Sequence, residues 1–250
     1  MTDQTHDAQA EQILLERMQD LLQRGALFRF LAQGFSYPHP GHPEAVRQTM
    51  EAMQSVSLVQ PDTWSMFREQ WDLMDLSALQ AEHCRLFQGR NVVSLHETSY
   101  GDARRIGGQV VELSDINGFY RAFGMQVSAE NPDMPDHLCT ELEFYSLLLV
   151  KQSFALDNDW QEEEAVTADA SRKFMEYHLG RWIAPMLFGL REHGLQSVYV
   201  TLGELLEQVI TTECRLQEIT PQPFSGPVPT DEITADIFTC PMSNKKDPAL

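Results

Sequence analysis

His137 and Glu141 stand four residues apart, the spacing that puts two side chains on one face of a helix. An imidazole nitrogen and a carboxylate oxygen in that relation can ligate zinc or iron. Two ligands do not complete a site. A third would have to come from His83, His96 or His178, and no spacing selects one of them. The expectation is therefore no metal, with His137 hydrogen-bonded near a helix start and Glu141 solvated. Asp136 beside His137 has the composition of an acid–base dyad, but neighbours on a helix point about 100° apart and do not easily bond side chain to side chain. The chain carries no GxGxxG, no P-loop, no GxSxG and no HExxH. No catalytic residue and no cofactor are expected. A helical metal-dependent enzyme built on His137 and Glu141 is the competing reading.

The elements that must position these residues read as helices. Leu14, Met18, Leu21 and Leu22 recur at helical spacing, and Leu27, Phe28, Phe30 and Leu31 make the second half of the same helix apolar nearly all round. That helix is expected from about Glu11 to Gln33, with Gly25 as a kink. Val46, Met50 and Met53 space out a second helix. Pro61-Asp62 opens a third, with Trp64, Phe67 and Trp71 inside. A fourth is expected from Ser77, as N-cap, to Phe87. Residues 90 to 112 show no helical period and read as a long loop, unusual enough to point to function. Ser114 is expected to cap the next helix. Pro135-Asp136-His137 reads as the strongest helix start, with Asp136 as its N-cap. Further helices begin near Trp160 and Val198, and Pro185 starts or kinks another between them. Few segments alternate with period two, so the fold class is all-α, a single-domain helical bundle.

Residues 1–10 are polar and expected to fray, and 11–220 form the helical domain. Residues 221–250 hold six of the chain's thirteen prolines and read as a mobile tail. The chain has 250 residues with 37 acids against 18 bases, a formal net charge of −19. That balance disfavours nucleic acid and anionic membrane surfaces, which need Lys and Arg, and it favours a basic protein or peptide partner. No run approaches the ~20 apolar residues of a membrane span. The start, Met1-Thr2-Asp3-Gln4, lacks the basic and apolar segments of a secretory signal, so a cytoplasmic location is expected. The four cysteines form no CxxC and are expected as reduced thiols.

Four stretches, taken in order, resemble the TorD/DmsD/NarJ family of molybdoenzyme maturation chaperones. They are Arg24-Gly25-Ala26-Leu27-Phe28-Arg29-Phe30-Leu31 with Tyr37-Pro38; Glu82-His83-Cys84-Arg85-Leu86-Phe87; Glu97-Thr98-Ser99-Tyr100-Gly101-Asp102; and Phe119-Tyr120-Arg121-Ala122-Phe123-Gly124 followed by Pro135-Asp136-His137-Leu138 and Glu141-Leu142-Glu143-Phe144. A fifth is Phe174 with His178-Leu179 and Trp182. The third stretch departs from the family pattern, since Asp102 falls two rather than three residues after Tyr100.

The resemblance implies a TorD-type helical bundle without catalytic activity. It implies a partner, the apo catalytic subunit of a molybdopterin-dependent oxidoreductase, together with its twin-arginine leader peptide. It also implies a role in cofactor insertion and in holding back export. Pro135, Asp136 and His137 inherit the client-binding role, joined by Glu141, Leu86, Phe87 and Tyr100. The Gly101-Asp102-Ala103-Arg104 run resembles the nitrate-reductase branch. With the rest it points to dimethyl sulfide, selenate, chlorate or ethylbenzene dehydrogenase-like clients. A leader peptide is basic and then apolar, so its receptor needs carboxylates beside apolar surface.

Overall fold

The computed structural model describes residues 2–53, 58–88, 93–101, 108–125 and 134–224. Among these the chain forms nine α-helices. They are α1 (Thr2–Phe35), α2 (His42–Ala52), α3 (Pro61–Asp72), α4 (Leu76–Phe87), α5 (Gly108–Ala122), α6 (Leu138–Asp157), α7 (Gln161–Phe174), α8 (Gly180–His193) and α9 (Val198–Leu216). A 3-10 turn, Glu97–Ser99, lies in the connection before α5, and a π-helical stretch, Met175–Leu179, joins α7 to α8. No helix among the described residues is long and apolar enough to cross a membrane. The all-α expectation holds.

The core centres on α6, which lies along α1 on one side and α7 on the other. The apolar second half of α1 explains this. Leu27, Phe28, Phe30 and Leu31 are all buried, and Phe28 meets Tyr145 of α6 at 4.4 Å between ring centroids. Each such side chain contributes roughly 1.5–3 kcal/mol by leaving water. Gly25 does not interrupt α1, which continues through it to Phe35. The glycine lies against α6: a Cβ there would sit 3.4 Å from the Ser146 carbonyl, an ordinary packing distance. The Ser146 hydroxyl completes the contact by donating to the Gly25 carbonyl at 2.8 Å.

Three helix starts differ from the sequence expectation. The first helix begins at Thr2, ahead of Glu11. The cap of α4 is Asp75, whose carboxylate accepts from the Ala78 N–H at 2.8 Å, and Ser77 is already helical. In α5 the start is Gly108 rather than Ser114. Its first turns hide from a hydrophobic period because Val110 and Val111 face solvent, as does Gln109, whose amide donates to the Thr98 hydroxyl at 3.2 Å, while the partly buried Glu112 lies beside His178.

Pro185 lies inside α8. It has no N–H to give to the carbonyl four residues back, which is that of Arg181. The Phe224 N–H takes that acceptor at 2.9 Å, and the Arg181 guanidinium lies 4.0 Å over the Phe224 ring. The packed body thus runs four residues past the expected boundary at 220; the rest of the expected tail, 225–250, lies outside the described residues. Truncation after Phe224 is expected to leave the melting temperature unchanged. Truncation after Thr220 removes two hydrogen bonds, from the Phe224 N–H to the Arg181 carbonyl and from Arg181 Nε to the Gln222 carbonyl, and a cation–π contact, about 2 kcal/mol together. It should lower the melting temperature by roughly 3–6 °C. Thermal melts of both truncated chains check this.

Candidate functional site

The long connection between α4 and α5 gathers the residues singled out from the sequence. It leaves α4 with the Val93 N–H donating to the Leu86 carbonyl at 2.9 Å. It then runs beside the start of α6, where Leu138 N–H donates to Leu95 O at 2.8 Å and Glu97 N–H to Asp136 O at 2.9 Å. His96 and His137 form an antiparallel bridge between the two segments. Leu86, Tyr100, Pro135, Asp136, His137 and Glu141 therefore belong to one neighbourhood.

Asp136 is not the cap of α6. That position is His137, whose Nδ1 accepts from the Cys139 N–H at 3.2 Å. Asp136, 2% exposed, turns to the 93–101 loop instead. Its Oδ2 accepts from the Thr98 hydroxyl at 2.6 Å and from the Thr98 N–H at 3.3 Å, and its Oδ1 accepts from His96 Nδ1 at 3.2 Å. Burial alone would raise its pKa, but the hydrogen bonds from His96 and Thr98 outweigh it and hold the carboxyl below the ordinary aspartate range. The aspartate is a clamp between two segments about forty residues apart in sequence.

Behind the clamp lies a buried charge cluster. Glu141 is fully buried rather than solvated. Its Oε2 accepts from Trp182 Nε1 at 3.1 Å, and burial with the nearby Glu97 carboxylate pushes its pKa well up. Glu97 is fully buried too, and among the described residues neither of its oxygens takes a hydrogen bond of good geometry. Its Oε2 lies 3.3 Å from Nδ1 of His178, which also lies 3.6 Å from Glu112 Oε1, while His178 Nε2 lies 3.3 Å from Asp115 Oδ2. Burial and the Glu97 charge raise Glu112 to about 7. Burial lowers the His178 pKa, but Glu97, Glu112 and Asp115 more than reverse that, so it stands above its usual value. Among the described residues, the acid and histidine atoms that lie within 4.8 Å of one another are those of Glu97, Glu112 and His178, not those of His137 and Glu141.

The other expected site residues divide by exposure. Leu86 and Tyr100 are buried. Tyr100 stacks on Trp182 at 5.6 Å and donates its hydroxyl to the Ser94 carbonyl at 2.7 Å. Pro135, His137 and Phe87 keep part of their surface. The Pro135 carbonyl accepts from the Tyr120 hydroxyl at 2.7 Å. Phe87 packs on Tyr199 and His83, and His83 Nε2 donates to the Phe35 carbonyl at 3.1 Å, tying α4 to the end of α1. Asp102 lies outside the described residues. Thr98, Glu112 and Trp182 were not foreseen as site residues. Their signal was weak because each acts on a partner far along the chain.

The fold and this site define a helical protein whose distinguishing motifs hold a loop in place. The family described as nitrate reductase delta subunit matches residues 40–187, more than half of the chain, and the chain belongs to that family. It is 32% identical over 190 residues to the selenate reductase assembly chaperone protein of Thauera selenatis, covering 72% of this chain and 94% of that one. It is 32% identical over 178 residues to the chlorate reductase assembly chaperone protein of Ideonella dechloratans, covering 66% and 88%. It is 25% identical over 225 residues to the perchlorate reductase assembly chaperone protein of Dechloromonas aromatica, covering 84% and 95%. A solved structure of a candidate redox enzyme maturation protein from Archaeoglobus fulgidus aligns over 75% of this chain and 93% of that one, at 17% identity and a TM-score of 0.43.

Proposed function

We propose that this chain is a non-catalytic assembly chaperone that binds the immature catalytic subunit of a molybdopterin-dependent reductase in the cytoplasm, engaging its twin-arginine leader. The observation that carries the reading is the match to three assembly chaperones over 94%, 88% and 95% of their own lengths. The charge supports it, since a net −19 draws in a basic leader through long-range attraction. The site supports a division of labour. Asp136, Glu141, Tyr100 and Leu86 are buried and act by holding the 93–101 loop and the start of α6 in register. Pro135, His137, the half-exposed His96 and Phe87 offer the surface that a client touches.

His137→Asn tests this. Asparagine also caps helices well, so α6 keeps its start and stability should change by less than about 1 kcal/mol. The variant loses the ring, and client binding is expected to weaken by about five- to tenfold, read by calorimetric titration of the precursor or its leader peptide. Equal binding by variant and wild type would remove His137 from the contact surface. Failure of the wild-type chain to bind any reductase precursor would overturn the function itself.

A further inference from the structure

We propose that Glu97, Glu112 and His178 form a binding site for one divalent transition-metal cation, held by two carboxylates and one imidazole. The cation would join the 93–101 loop, α5 and the π-helical stretch. The three side chains offer ligand atoms that all lie within 4.8 Å of one another. Nδ1 of His178 is 3.3 Å from Glu97 Oε2 and 3.6 Å from Glu112 Oε1. These bracket the ~3.4 Å edge of a tetrahedron with metal–ligand bonds of about 2.1 Å. Small side-chain adjustments therefore seat a common centre.

Independent observations point the same way. Both oxygens of Glu97 and the Oε1 of Glu141 are buried without a hydrogen bond of good geometry among the described residues, and the one basic group beside Glu97 there is the His178 ring, 3.3 Å away, which would itself ligate the cation. Asp115 stands 3.3 Å from His178 Nε2. A carboxylate on the far ring nitrogen is the usual outer partner of a metal-ligating histidine; Asp115 is within reach of that nitrogen, and a small rotation of its exposed side chain would make the hydrogen bond that fixes the tautomer. Arg181 is the one arginine paired with the cluster among the described residues, and it reaches only Glu112, at 3.8 Å. It does not neutralise Glu97 or Glu141. The partly exposed Glu112 and the exposed Asp115 give a cation access from the surface. A nitrogen-and-oxygen donor set of this kind suits Zn²⁺ or Mn²⁺. With Glu97 and His178 buried, the cation serves as a staple, and no reaction is assigned to it.

The experiment uses the full chain, stripped with a chelator and dialysed, then titrated calorimetrically with Zn²⁺ and separately with Mn²⁺. One equivalent is expected to bind with one of the two metals. At a hundredfold excess over Kd it should raise the melting temperature by roughly 5–10 °C. Glu112→Gln, at the exposed edge of the cluster, is expected to keep the metal-free melt within a few degrees and to lose at least tenfold in affinity. His178→Gln should lose binding outright. If that variant does not fold, Glu112→Gln decides alone. Metal binding that survives unchanged in Glu112→Gln belongs to surface histidines and overturns the proposal. So does the absence of any one-to-one binding by the wild-type chain.

Discussion

Asp136→Ala is expected to destabilise the protein by about 2–4 kcal/mol and to reduce client binding in proportion to the fraction of loop released. The carboxylate accepts three hydrogen bonds, two from Thr98 and one from His96, and it is 2% exposed. Hydrogen bonds to a charged group contribute roughly 1.5–3 kcal/mol, and a truncated acceptor leaves its buried donors unpaired. Asp136→Asn keeps an acceptor for the Thr98 hydroxyl and loses the charge, so it should cost less, about 1–2 kcal/mol. Acid distinguishes the two variants' origins. The folded-state pKa of Asp136 lies below its ordinary 3.8. Its charge therefore stabilises fully above that ordinary value, and the contribution is lost as pH falls through the depressed folded value. The gap in urea midpoint between wild type and Asp136→Asn should be open at pH 7, begin to narrow as pH falls below about 4, and close once pH is below the depressed folded value. A gap that stays constant from pH 7 down to pH 3 would show that the charge is not what holds the loop.

That role was only half legible in the sequence. The motif Pro135-Asp136-His137 announces a helix start, and α6 does begin there. Which of two adjacent polar residues caps the helix is a local question that residue type alone answers wrongly here. Asp136 has stronger donors elsewhere, and His137 takes the cap. The donors, His96 and Thr98, come from a segment 38–40 residues away, and nothing in local spacing reports such a partner. Glu141 teaches the same point. Four residues from His137, it reads as a potential co-ligand or a solvated acid; its position on the buried face of α6 is dictated by Trp182, 41 residues further on. The helices themselves were legible because burial imposes a 3.6-residue period on apolar side chains. The start of α5 was not, because Gln109, Val110 and Val111 are exposed there and the partly buried position is the charged Glu112.

The largest stability effect is expected at a pair the sequence reading passed over as part of a motif. Arg24 of α1 reaches Glu213 of α9 at 2.6 Å, with side chains 11% and 2% exposed. The same carboxylate oxygen accepts from the Tyr145 hydroxyl and from the Gln217 amide, each at 2.8 Å. The pair therefore joins α1, α6 and α9 at one point. Burial lowers the Arg24 pKa, but Glu213 and Asp20 more than compensate, so the guanidinium stays charged and raised. Breaking a buried ion pair costs about 3–5 kcal/mol where the other charge is stranded, and since Arg24 keeps its contact with the exposed Asp20 at 2.9 Å the lower end of that range applies. Glu213→Ala should fall in that range in urea unfolding, and it also strands Tyr145 and Gln217. Replacing both charges, as Arg24→Met with Glu213→Leu, removes the desolvation penalty along with the attraction, so the double variant should recover most of the loss. The coupling between the two sites is then large and favourable. If the double variant is instead as unstable as the two single losses added together, the pair does not stabilise through its mutual charge. The stability of this region would then rest on the packing of the arginine stem and on the Tyr145–Gln217 contacts alone. Client binding by whatever fraction remains folded should be unchanged in both the Glu213→Ala and the double variant, because neither touches the 93–101 loop or the start of α6.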